Sequence, residues 1–336
     1  MEHLNQIEQA KSFLTNIAGN ILIITHDDLD GFASGILLSD YLDKEAIKHD
    51  IHIHNIGAEF PDTIDYDKII ITDLAPNITS DFLKNLNKPC LYIDHHQPSN
   101  ETLPENIIEY RIHKPYTPAT KIVYNLLKEL GQEEKQWLAI AGILGDAGEK
   151  YENNLKFINN FLNKHDISLK DFQEQVEFKI SNFIVYFDTF QKLEQAFYIL
   201  KNIKDWHNLR EIEKYSEEIE QELKQIETDF EENKEQYKIN NIYIYPLNPR
   251  FKLKSIIIGI ISNKYPNDTF LFYVEDKDKP TITFSARNQS GKSDMPELFK
   301  QACSGLQASY GGHKAAAGAT IKKEDLPKFI KALKEL

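Results

Sequence analysis

Side chains that can bind metal ions recur in the first half of this chain, each time directly after an apolar run. The runs are ILII, KIIIT, CLYI and the helical WLAIAGILG. The polar side chains that follow them are His26, Asp28 and Asp30, then Asp73, then Asp94, His95 and His96, and last Asp146. Burying grouped carboxylates and imidazoles without cations is costly, because they lose water and the like charges repel one another. Their placement therefore predicts a cation-binding site.

The elements that carry these side chains determine whether they meet. Strands predicted at 21–25, 51–56, 69–72 and 90–93 alternate with helices predicted at 32–42, 80–86, 119–130 and 134–144. This alternation predicts an α/β fold with a parallel sheet and helices on both of its faces. Because the carboxyl ends of parallel strands form the functional edge of such a sheet, we expect the polar groups to converge in one crevice.

The types of ligand indicate which cations the crevice would hold. Aspartates with a few histidines and no cysteine favour Mn²⁺ or Mg²⁺ over structural zinc. The set is larger than one ion needs, which suggests a pair. Two divalent ions about 3.5–4 Å apart can activate a water molecule and hold a phosphoryl group.

Three stretches of different character divide the chain. Residues 1–154 contain the strand–helix alternation and the candidate ligands. Residues 155–238 lack proline, are rich in Glu, Lys and Gln, and have helical spacing, which predicts a helical connector or insert. Residues 239–336 predict a smaller second α/β domain, with strands at 242–245, 269–274 and 281–286 and a Gly-rich segment, SYGGHKAAAGAT.

Charge and cysteine content narrow the classes of partner. The 336-residue chain has a net charge of −13, which argues against nucleic acid binding over the whole surface. Residues 279–336, however, contain ten Lys or Arg and five Asp or Glu, and such a basic region can hold a phosphate backbone. The chain has only two cysteines, no signal-peptide pattern and no apolar run of the roughly 18 residues that a membrane span needs. These features predict a cytoplasmic protein without a membrane partner.

Four of these segments, THDDLDG, TDLAP, IDHH and GDAG, resemble the four motifs of the DHH phosphoesterases. FSAR and GGHKAAAG resemble the accompanying C-terminal DHHA1 domain. The resemblance covers most of the chain except its helical middle. Within this family, the chain is more similar to RecJ-type single-strand exonucleases and oligoribonucleases, because its first motif has the short H-x-D-x-D-G form and it has the two-domain layout. Family II pyrophosphatases are also similar, but their first motif is longer.

The resemblance implies a role for each candidate in the first domain. Six side chains would bind two metal ions: His26 and Asp28 hold one, Asp30, His95 and Asp146 hold the other, and Asp73 bridges both. Asp94 would orient an imidazole, and His96 would face the substrate phosphate. Asp73, Asp94 and His96 are therefore the expected catalytic residues. An additional Asp27 inside the first motif is expected to point away from the ions.

The C-terminal resemblance implies a substrate-binding set, which is Arg287, Gly311, Gly312, His313 and Lys314. Glycine amides, the imidazole and the lysine would bind a phosphate or a ribose. The planar guanidinium of Arg287 would bind a phosphate or a nucleotide end. Where the family has a triple glycine, this chain has Tyr310 followed by two glycines, which changes how closely a nucleic acid could approach the backbone.

Structural interpretations compete with these roles. Asp73 could cap a helix, Asp146 could simply end one, YGGHKAAAG could be a tight turn, and Arg287 could be an ordinary surface residue. Four histidines outside the motifs are expected to be structural: His49, His52, His54 and His113.

The sequence thus predicts a metal-dependent phosphodiesterase that hydrolyses single-stranded DNA or RNA, or short oligonucleotides, from an end, with two Mn²⁺ or Mg²⁺ ions. Its state as a homodimer and its contacts with replication or repair proteins stay open. One alternative is a small-molecule enzyme that acts on a nucleotide bisphosphate or a cyclic dinucleotide. Another is a non-catalytic binding module of replication complexes, against which the complete set of ligand positions argues.

Overall fold

The computed structural model describes residues 2–100, 102–276 and 279–336. The chain forms two compact units, unit 1 (Met1–Ser216) and unit 2 (Glu217–Leu336). Their boundary falls inside one long helix, Arg210–Asn233. The segment 155–238, predicted as a helical connector, is therefore divided between the two units.

Unit 1 contains five strands and nine helices before the boundary helix, counted over the described residues. The strands are β1 (Ile21–His26), β2 (His49–His54), β3 (Lys68–Thr72), β4 (Cys90–Asp94) and β5 (Ile107–Arg111). The helices are α1 (Glu2–Thr15), α2 (Leu29–Lys44), α3 (Pro76–Asn85), α4 (Ala119–Glu129), α5 (Gln136–Gly145), α6 (Glu152–His165), α7 (Leu169–Phe172), α8 (Phe178–Thr189) and α9 (Leu193–Asn202), followed by α10 (Arg210–Asn233).

The strands of unit 1 form one parallel sheet in the order β2-β1-β3-β4-β5. Alternate residues of β1 enter different cores: Ile21 and Ile23 pack on one face of the sheet, and Leu22 and Ile24 pack on the other. Both faces are therefore covered, as the continuous apolar runs of these strands require. The predicted α/β class with a parallel sheet is confirmed.

Strand β5 is a finding that the hydrophobic pattern did not predict. Its sequence, IIEYR, places Glu109 and Arg111 within five residues, which breaks the apolar run. It pairs with β4 at the edge of the sheet, with Asp94 opposite Arg111. An edge strand with one neighbour tolerates charged residues better than a central one.

The helices that follow α5 belong to unit 1. Ile140 of α5 shares a core with Phe172, Phe183 and Phe197, which lie in α7, α8 and α9. A π-helical turn, Gln173–Glu177, joins α7 to α8. These helices pack against the helix that ends at the predicted ligand Asp146 and so support its position.

Unit 2 has a six-stranded mixed sheet in the order β10-β11-β9-β8-β7-β6. Only β7 and β8 are parallel neighbours among its described strands. The strands are β6 (Lys238–Ile239), β7 (Ile242–Leu247), β8 (Thr269–Glu275), β9 (Thr281–Arg287), β10 (Ala308–His313) and β11 (Ala316–Lys322). The helices are α11 (Lys254–Lys264), α12 (Met295–Ala302) and α13 (Leu326–Glu335). The Gly-rich segment forms the antiparallel pair β10–β11.

None of the helices in the described part of the chain combines the length and the apolarity needed to cross a membrane.

Candidate metal centre

Three overlapping groups of potential ligands lie at the carboxyl edge of the unit 1 sheet. Within each group, ligand atoms lie within 4.8 Å of one another. The groups are His26, Asp28 and Asp73; Asp30, His95 and Asp146; and Asp73, Asp94, His95 and His96. The structure therefore brings together all eight candidates that the sequence predicted in the first domain.

Asp73 lies between the first two groups. Its Oδ2 atom is 3.8 Å from His26 Nδ1, and its Oδ1 atom is 3.1 Å from His95 Nε2. The side chain is 2% exposed. One carboxylate thus presents a different oxygen to each group, which is the arrangement that a ligand shared by two ions needs.

The backbone of Asp73 adopts the left-handed conformation, with φ of 62°. Non-glycine residues rarely adopt it, and where they do, the surrounding structure holds them there, often at functional sites. The amide of Asp73 donates to the carbonyl of Ile93 at 3.1 Å. Helix α3 has Ala75 at its N-cap with no side-chain cap bond, so Asp73 does not cap that helix.

Asp28 and Asp30 are held by the start of two helices. Asp28 is the N-cap of α2 and accepts from the Gly31 amide at 2.9 Å. Asp30 accepts from the amides of Ala119 and Thr120 at 2.7 and 2.9 Å, at the first turn of α4. Amides and the helix dipole at these N-termini favour negative charge.

Asp146 reaches the group from the C-cap of α5. Its Oδ2 atom lies 3.5 Å from His95 Nε2, and Asp30 Oδ2 lies 3.9 Å from the same nitrogen. The Tyr116 hydroxyl donates to the Asp146 carboxylate, and the Tyr116 ring stands edge-on to His95 with centroids 5.3 Å apart. Sequence reasoning did not identify Tyr116, because a tyrosine 30 residues from its aspartate carries no local signal.

Asp94 joins a buried charge network beside the ligands. Its Oδ1 atom is 2.7 Å from His96 Nδ1, and Arg111 donates to Oδ2. Arg111 also donates to the carbonyl of His96 at 2.9 Å. Burial acts to raise the pKa of Asp94, but these contacts outweigh it and lower the pKa below its ordinary value. Arg111 was missed by sequence reasoning because the strand that carries it was missed.

Burial and compensating contacts balance differently at the other carboxyl groups of the centre. Burial, and then the neighbouring carboxylates, raise the pKa of Asp30 and of Asp73 well above the ordinary value. Burial would also raise the pKa of Asp28, but contact with His26 and the Gly31 amide lower it to about 2. The centre therefore holds more negative charge than the protein itself neutralises.

Several buried polar atoms of the centre have no hydrogen-bond partner among the described residues. They are Nδ1 of His95, Oδ2 of Asp73 and both ring nitrogens of His26, whose close contacts with Asp27 and Asp28 do not have hydrogen-bond geometry. Unsatisfied buried groups are rare in proteins and require a physical reason. With oxygen and imidazole donors only, the groups fit divalent ions such as Mn²⁺ or Mg²⁺.

Asp27 lies on the other side of His26 from the ligand groups. Its Oδ1 atom is 3.2 Å from His26 Nε2, whereas Nδ1 of that ring is 2.9 Å from Asp28 Oδ2. Asn55 donates to the second oxygen of Asp27. Asp27 is thus placed to orient the His26 ring, as carboxylates behind metal-binding histidines do.

Two of the histidines outside the motifs, His49 and His54, have structural surroundings. His49 Nε2 lies 2.6 Å from the Ser39 hydroxyl, and His54, which is 1% exposed, stacks on Phe60 with centroids 4.0 Å apart. Within the described chain, none of the ligand groups includes His49, His52, His54 or His113.

The predicted substrate residues of unit 2 gather at one end of its sheet. Arg287 pairs with Ala316 from β9, and His313 pairs with Ala316 from β10. Lys314 follows in the turn between β10 and β11 and is exposed, as is His313. Arg287 and Lys314 form no ion pair with any carboxylate of the described residues, so both cations are available to an anion.

The two predicted glycines of unit 2 differ in what they require. At Gly312, φ is 144° and a Cβ would lie 2.4 Å from the carbonyl oxygen of Ala316, so the fold itself demands glycine. At Gly311, a Cβ would meet no atom within 4 Å. The tight turn therefore requires glycine at Gly312, whereas packing gives no reason for glycine at Gly311.

Family models match both parts of the chain. The N-terminal domain of the DHH family matches residues 20–145, and the DHHA1 domain matches residues 242–336. The resemblance read from the motifs is thereby confirmed. All of the ligand positions lie inside the first match except Asp146, which follows it directly.

Known proteins resemble this chain, in sequence or in fold, at low sequence identity. An uncharacterized protein of Methanocaldococcus jannaschii, MJ0831, is 28% identical over 205 residues, which are 55% of this chain and 45% of that protein. RecJ of Thermus thermophilus in complex with Mn²⁺ has a TM-score of 0.70 and 15% identity, over 98% of this chain and 54% of RecJ. An exonuclease RecJ bound to manganese has a TM-score of 0.72 and 14% identity, over 98% and 94% of the two chains. The chain thus spans about half the length of MJ0831 and of the Thermus RecJ.

Two further structures with this fold belong to proteins that are not named as RecJ. A pGpG-specific phosphodiesterase, PggH of Vibrio cholerae, has a TM-score of 0.54 and 16% identity, over 94% of this chain and 98% of PggH. CDC45 of Entamoeba histolytica has a TM-score of 0.57 and 14% identity, over 98% of both chains. At these identities the likeness concerns the fold alone.

The position of Asp73 predicts that removing its charge empties the centre. Asp73→Asn keeps the size of the side chain, and asparagine tolerates positive φ, so folding should be preserved. The variant should bind neither Mn²⁺ ion at concentrations that saturate the wild-type protein, as measured by metal analysis after equilibrium dialysis. Asp166→Asn is a matched control, because Asp166 is exposed and has φ of 49°. Full Mn²⁺ occupancy in Asp73→Asn would contradict the shared-ligand assignment.

The raised pKa values of Asp30 and Asp73 predict that ion binding releases protons. These carboxyl groups retain protons in the ion-free protein to higher pH than usual, and an ion binds only their ionised forms. Affinity for Mn²⁺ should therefore rise as the pH increases from acidic towards their raised pKa values, and level off above them. Titration calorimetry in buffers of different ionisation enthalpy measures both effects, and binding without proton release at acidic pH would contradict this account.

Proposed function

Because this chain belongs to the DHH family of phosphoesterases, we propose that it is a metal-dependent phosphodiesterase that shortens single-stranded nucleic acid or oligonucleotides from an end. The observation that carries the proposal is the position of Asp73, with one oxygen towards each of two ligand groups. Two adjacent divalent ions suit phosphoryl transfer. RecJ exonucleases with the same fold were solved with Mn²⁺ and with Mg²⁺.

In this proposal the ligand groups hold two ions, Mn²⁺ in preference to Mg²⁺. His26 and Asp28 would hold one ion, and Asp30, His95 and Asp146 would hold the other. Asp73 would serve both, because its two oxygens lie towards His26 and His95. When bound, such ions activate a water molecule and stabilise negative charge on the phosphoryl oxygens. The protein's part is to orient the ligands, through the helix N-termini and Tyr116.

His96 is the residue that faces the substrate phosphate. Its side chain is 39% exposed, whereas that of Asp94 is fully buried. Asp94 and Arg111 fix the ring through Nδ1 and the backbone carbonyl, so the imidazole needs little reordering to meet a phosphate. Asp94 is thus a positioning residue for His96.

Unit 2 supplies the cations that bind the rest of the substrate. Its last 58 residues, 279–336, have twice as many Lys and Arg as Asp and Glu. Arg287 and Lys314 lack carboxylate partners in the described chain, and a planar guanidinium suits bidentate contact with a phosphate. Gly311, which packing does not require to be glycine, would let a substrate approach the backbone of β10.

A second candidate is an enzyme for small nucleotides. The fold is shared with PggH, a pGpG-specific phosphodiesterase, and the same ligand groups would serve a dinucleotide. The non-catalytic role that the sequence left as an alternative is less well supported, because a binding module has no need for a complete set of ionisable ligands in a buried centre.

Product analysis distinguishes these functions. With Mn²⁺, end-labelled single-stranded DNA and RNA of several lengths should be shortened stepwise to mononucleotides, faster than a nucleotide bisphosphate or a cyclic dinucleotide is hydrolysed. Turnover of the small nucleotides alone would support the second candidate. Binding of oligonucleotides without any turnover, with both ions present, would support the non-catalytic role.

Replacing Arg287 by alanine should weaken catalysis on oligonucleotides specifically. We expect kcat/KM to fall by about 5- to 150-fold, which corresponds to the ~1–3 kcal/mol typical of a lost contact to a charged group. Mn²⁺ content should stay unchanged, and a phenyl phosphodiester should lose less. Arg250→Ala is the control, because the two arginines lie at opposite ends of the sheet. Strands β7 and β8 are parallel, and Arg250 follows the carboxyl end of β7, whereas Arg287 pairs with Phe270 at the start of β8. Equal losses on both substrates would show that Arg287 acts otherwise.

A further inference from the structure

Three aromatic rings lead outward from the candidate metal centre. The first is that of His95, and the Tyr116 ring stands edge-on to it at 5.3 Å and 79°. The Tyr151 ring stacks on Tyr116 at 4.5 Å and 25°. Tyr151 is 44% exposed, so a ring supported by Tyr116 offers much of its surface to solvent. A tyrosine that is exposed to solvent and lies only two rings from a potential metal ligand is a stronger candidate for a functional role than a tyrosine elsewhere on the surface.

The backbone holds both tyrosines in place. The amide of Tyr151 donates to the Gly148 carbonyl at 3.1 Å, and its carbonyl accepts from the Asn154 amide at 3.0 Å. The carbonyl of Tyr116 accepts from the side-chain amides of Asn153 and Asn154, at 3.1 and 3.0 Å. The first turn of α6 therefore fixes the backbone of both tyrosines, whose rings stack on each other.

The residues that hold the tyrosines are themselves fixed. Asn154 is fully buried, and its side-chain oxygen accepts from Lys121 Nζ at 2.9 Å. The same Nζ donates to the Asn153 carbonyl at 2.7 Å. At Gly148, a Cβ would lie 2.8 Å from the Ile143 carbonyl oxygen, so this turn also has little room to move. A surface ordered in advance loses little conformational entropy when a ligand binds.

We propose that Tyr151, supported by Tyr116, is the platform on which the terminal nucleobase of the substrate stacks. This rests on the proposed function, since it names how a nucleic acid would be recognised next to the candidate metal centre. In a nucleotide, one sugar separates the phosphate from the base. The distance from a phosphate at His95 and Asp146 to its base is therefore of the same order as the two steps between the rings of His95, Tyr116 and Tyr151. Tyr116 connects the two parts physically, because its hydroxyl donates to Asp146 while its ring supports Tyr151.

The platform implies a particular kind of selectivity. Every nucleobase has a π-face, so stacking on an aromatic side chain tolerates sequence differences and contributes to binding whichever base is terminal. A phosphodiester that lacks a base gains nothing from the ring. The enzyme should therefore prefer base-bearing ends without strong preference among the bases.

Kinetics on matched oligonucleotides test the platform. One substrate carries normal nucleotides throughout, and the others carry an abasic residue at one end or at the other. Tyr151→Ala should lower kcat/KM on the normal oligonucleotide by about 5- to 150-fold, the range for one lost base–aromatic stack, and Tyr151→Phe should not. The wild-type protein should already be slow when the terminal base is missing, and Tyr151→Ala should slow it little further. Tyr198→Ala, at a tyrosine of α9 that is 47% exposed, controls for surface tyrosines in general.

Two further measurements separate the platform from an indirect effect of Tyr151 on the metal ligands. Mn²⁺ content should be unchanged in Tyr151→Ala, and loss of metal would show that Tyr151 acts only through Asp146, which overturns the proposal. The fluorescence of a terminal 2-aminopurine, read on binding before turnover, should be quenched by the wild-type protein and not by Tyr151→Ala. Quenching without hydrolysis by the wild-type protein would refute the phosphodiesterase function and retain the platform. Two results would refute the platform alone, provided that the wild-type protein hydrolyses oligonucleotides normally. One is equal quenching by the wild-type protein and Tyr151→Ala, and the other is an equal kinetic loss of Tyr151→Ala on all substrates.

Discussion

The structure of unit 1 depends on one electrostatic constraint, which is the burial of several carboxylates at a single sheet edge. Asp73 and Asp30 are almost completely buried. Burial, and then the charges of the neighbouring carboxylates, raise the pKa of both. Such crowding is unfavourable unless cations or hydrogen-bond donors compensate it. The parallel order of the strands brings the groups together, and the surrounding elements reduce the cost.

The compensation comes from three directions, and each serves a different carboxylate. The N-terminus of α2 and that of α4 provide amides to Asp28 and Asp30. Arg111, at the end of the edge strand, neutralises Asp94 and thereby keeps His96 in place. Among the described residues, neither an arginine nor a helix N-terminus compensates the charge of Asp73 in this way. A bound cation would therefore relieve more electrostatic repulsion at Asp73 than at the other carboxylates.

Charge is divided between the two units in a way that suits a polyanionic substrate. Unit 1 concentrates carboxylates for cations. The end of unit 2 carries Arg287 and Lys314, which pair with no carboxylate in the described chain and so remain available for phosphates. Were both sets on one sheet edge, they would neutralise each other as salt bridges. Beside the candidate metal centre, unit 1 adds the stacked pair Tyr116 and Tyr151, the proposed platform for a base close to the ligands.

The sequence by itself determined the α/β class, the first four strands and the identity of every first-domain candidate, because these depend on local hydrophobic periods and on motifs of adjacent residues. Tertiary structure alone decided the rest. Strand β5 exists because β4 offers it an edge, and Arg111 matters because the register places it opposite Asp94. The left-handed backbone of Asp73 and the bond from Tyr116 to Asp146, 30 residues away, likewise depend on contacts between distant segments. No pattern of neighbouring residues encodes such contacts, because only the folded chain brings their partners within reach.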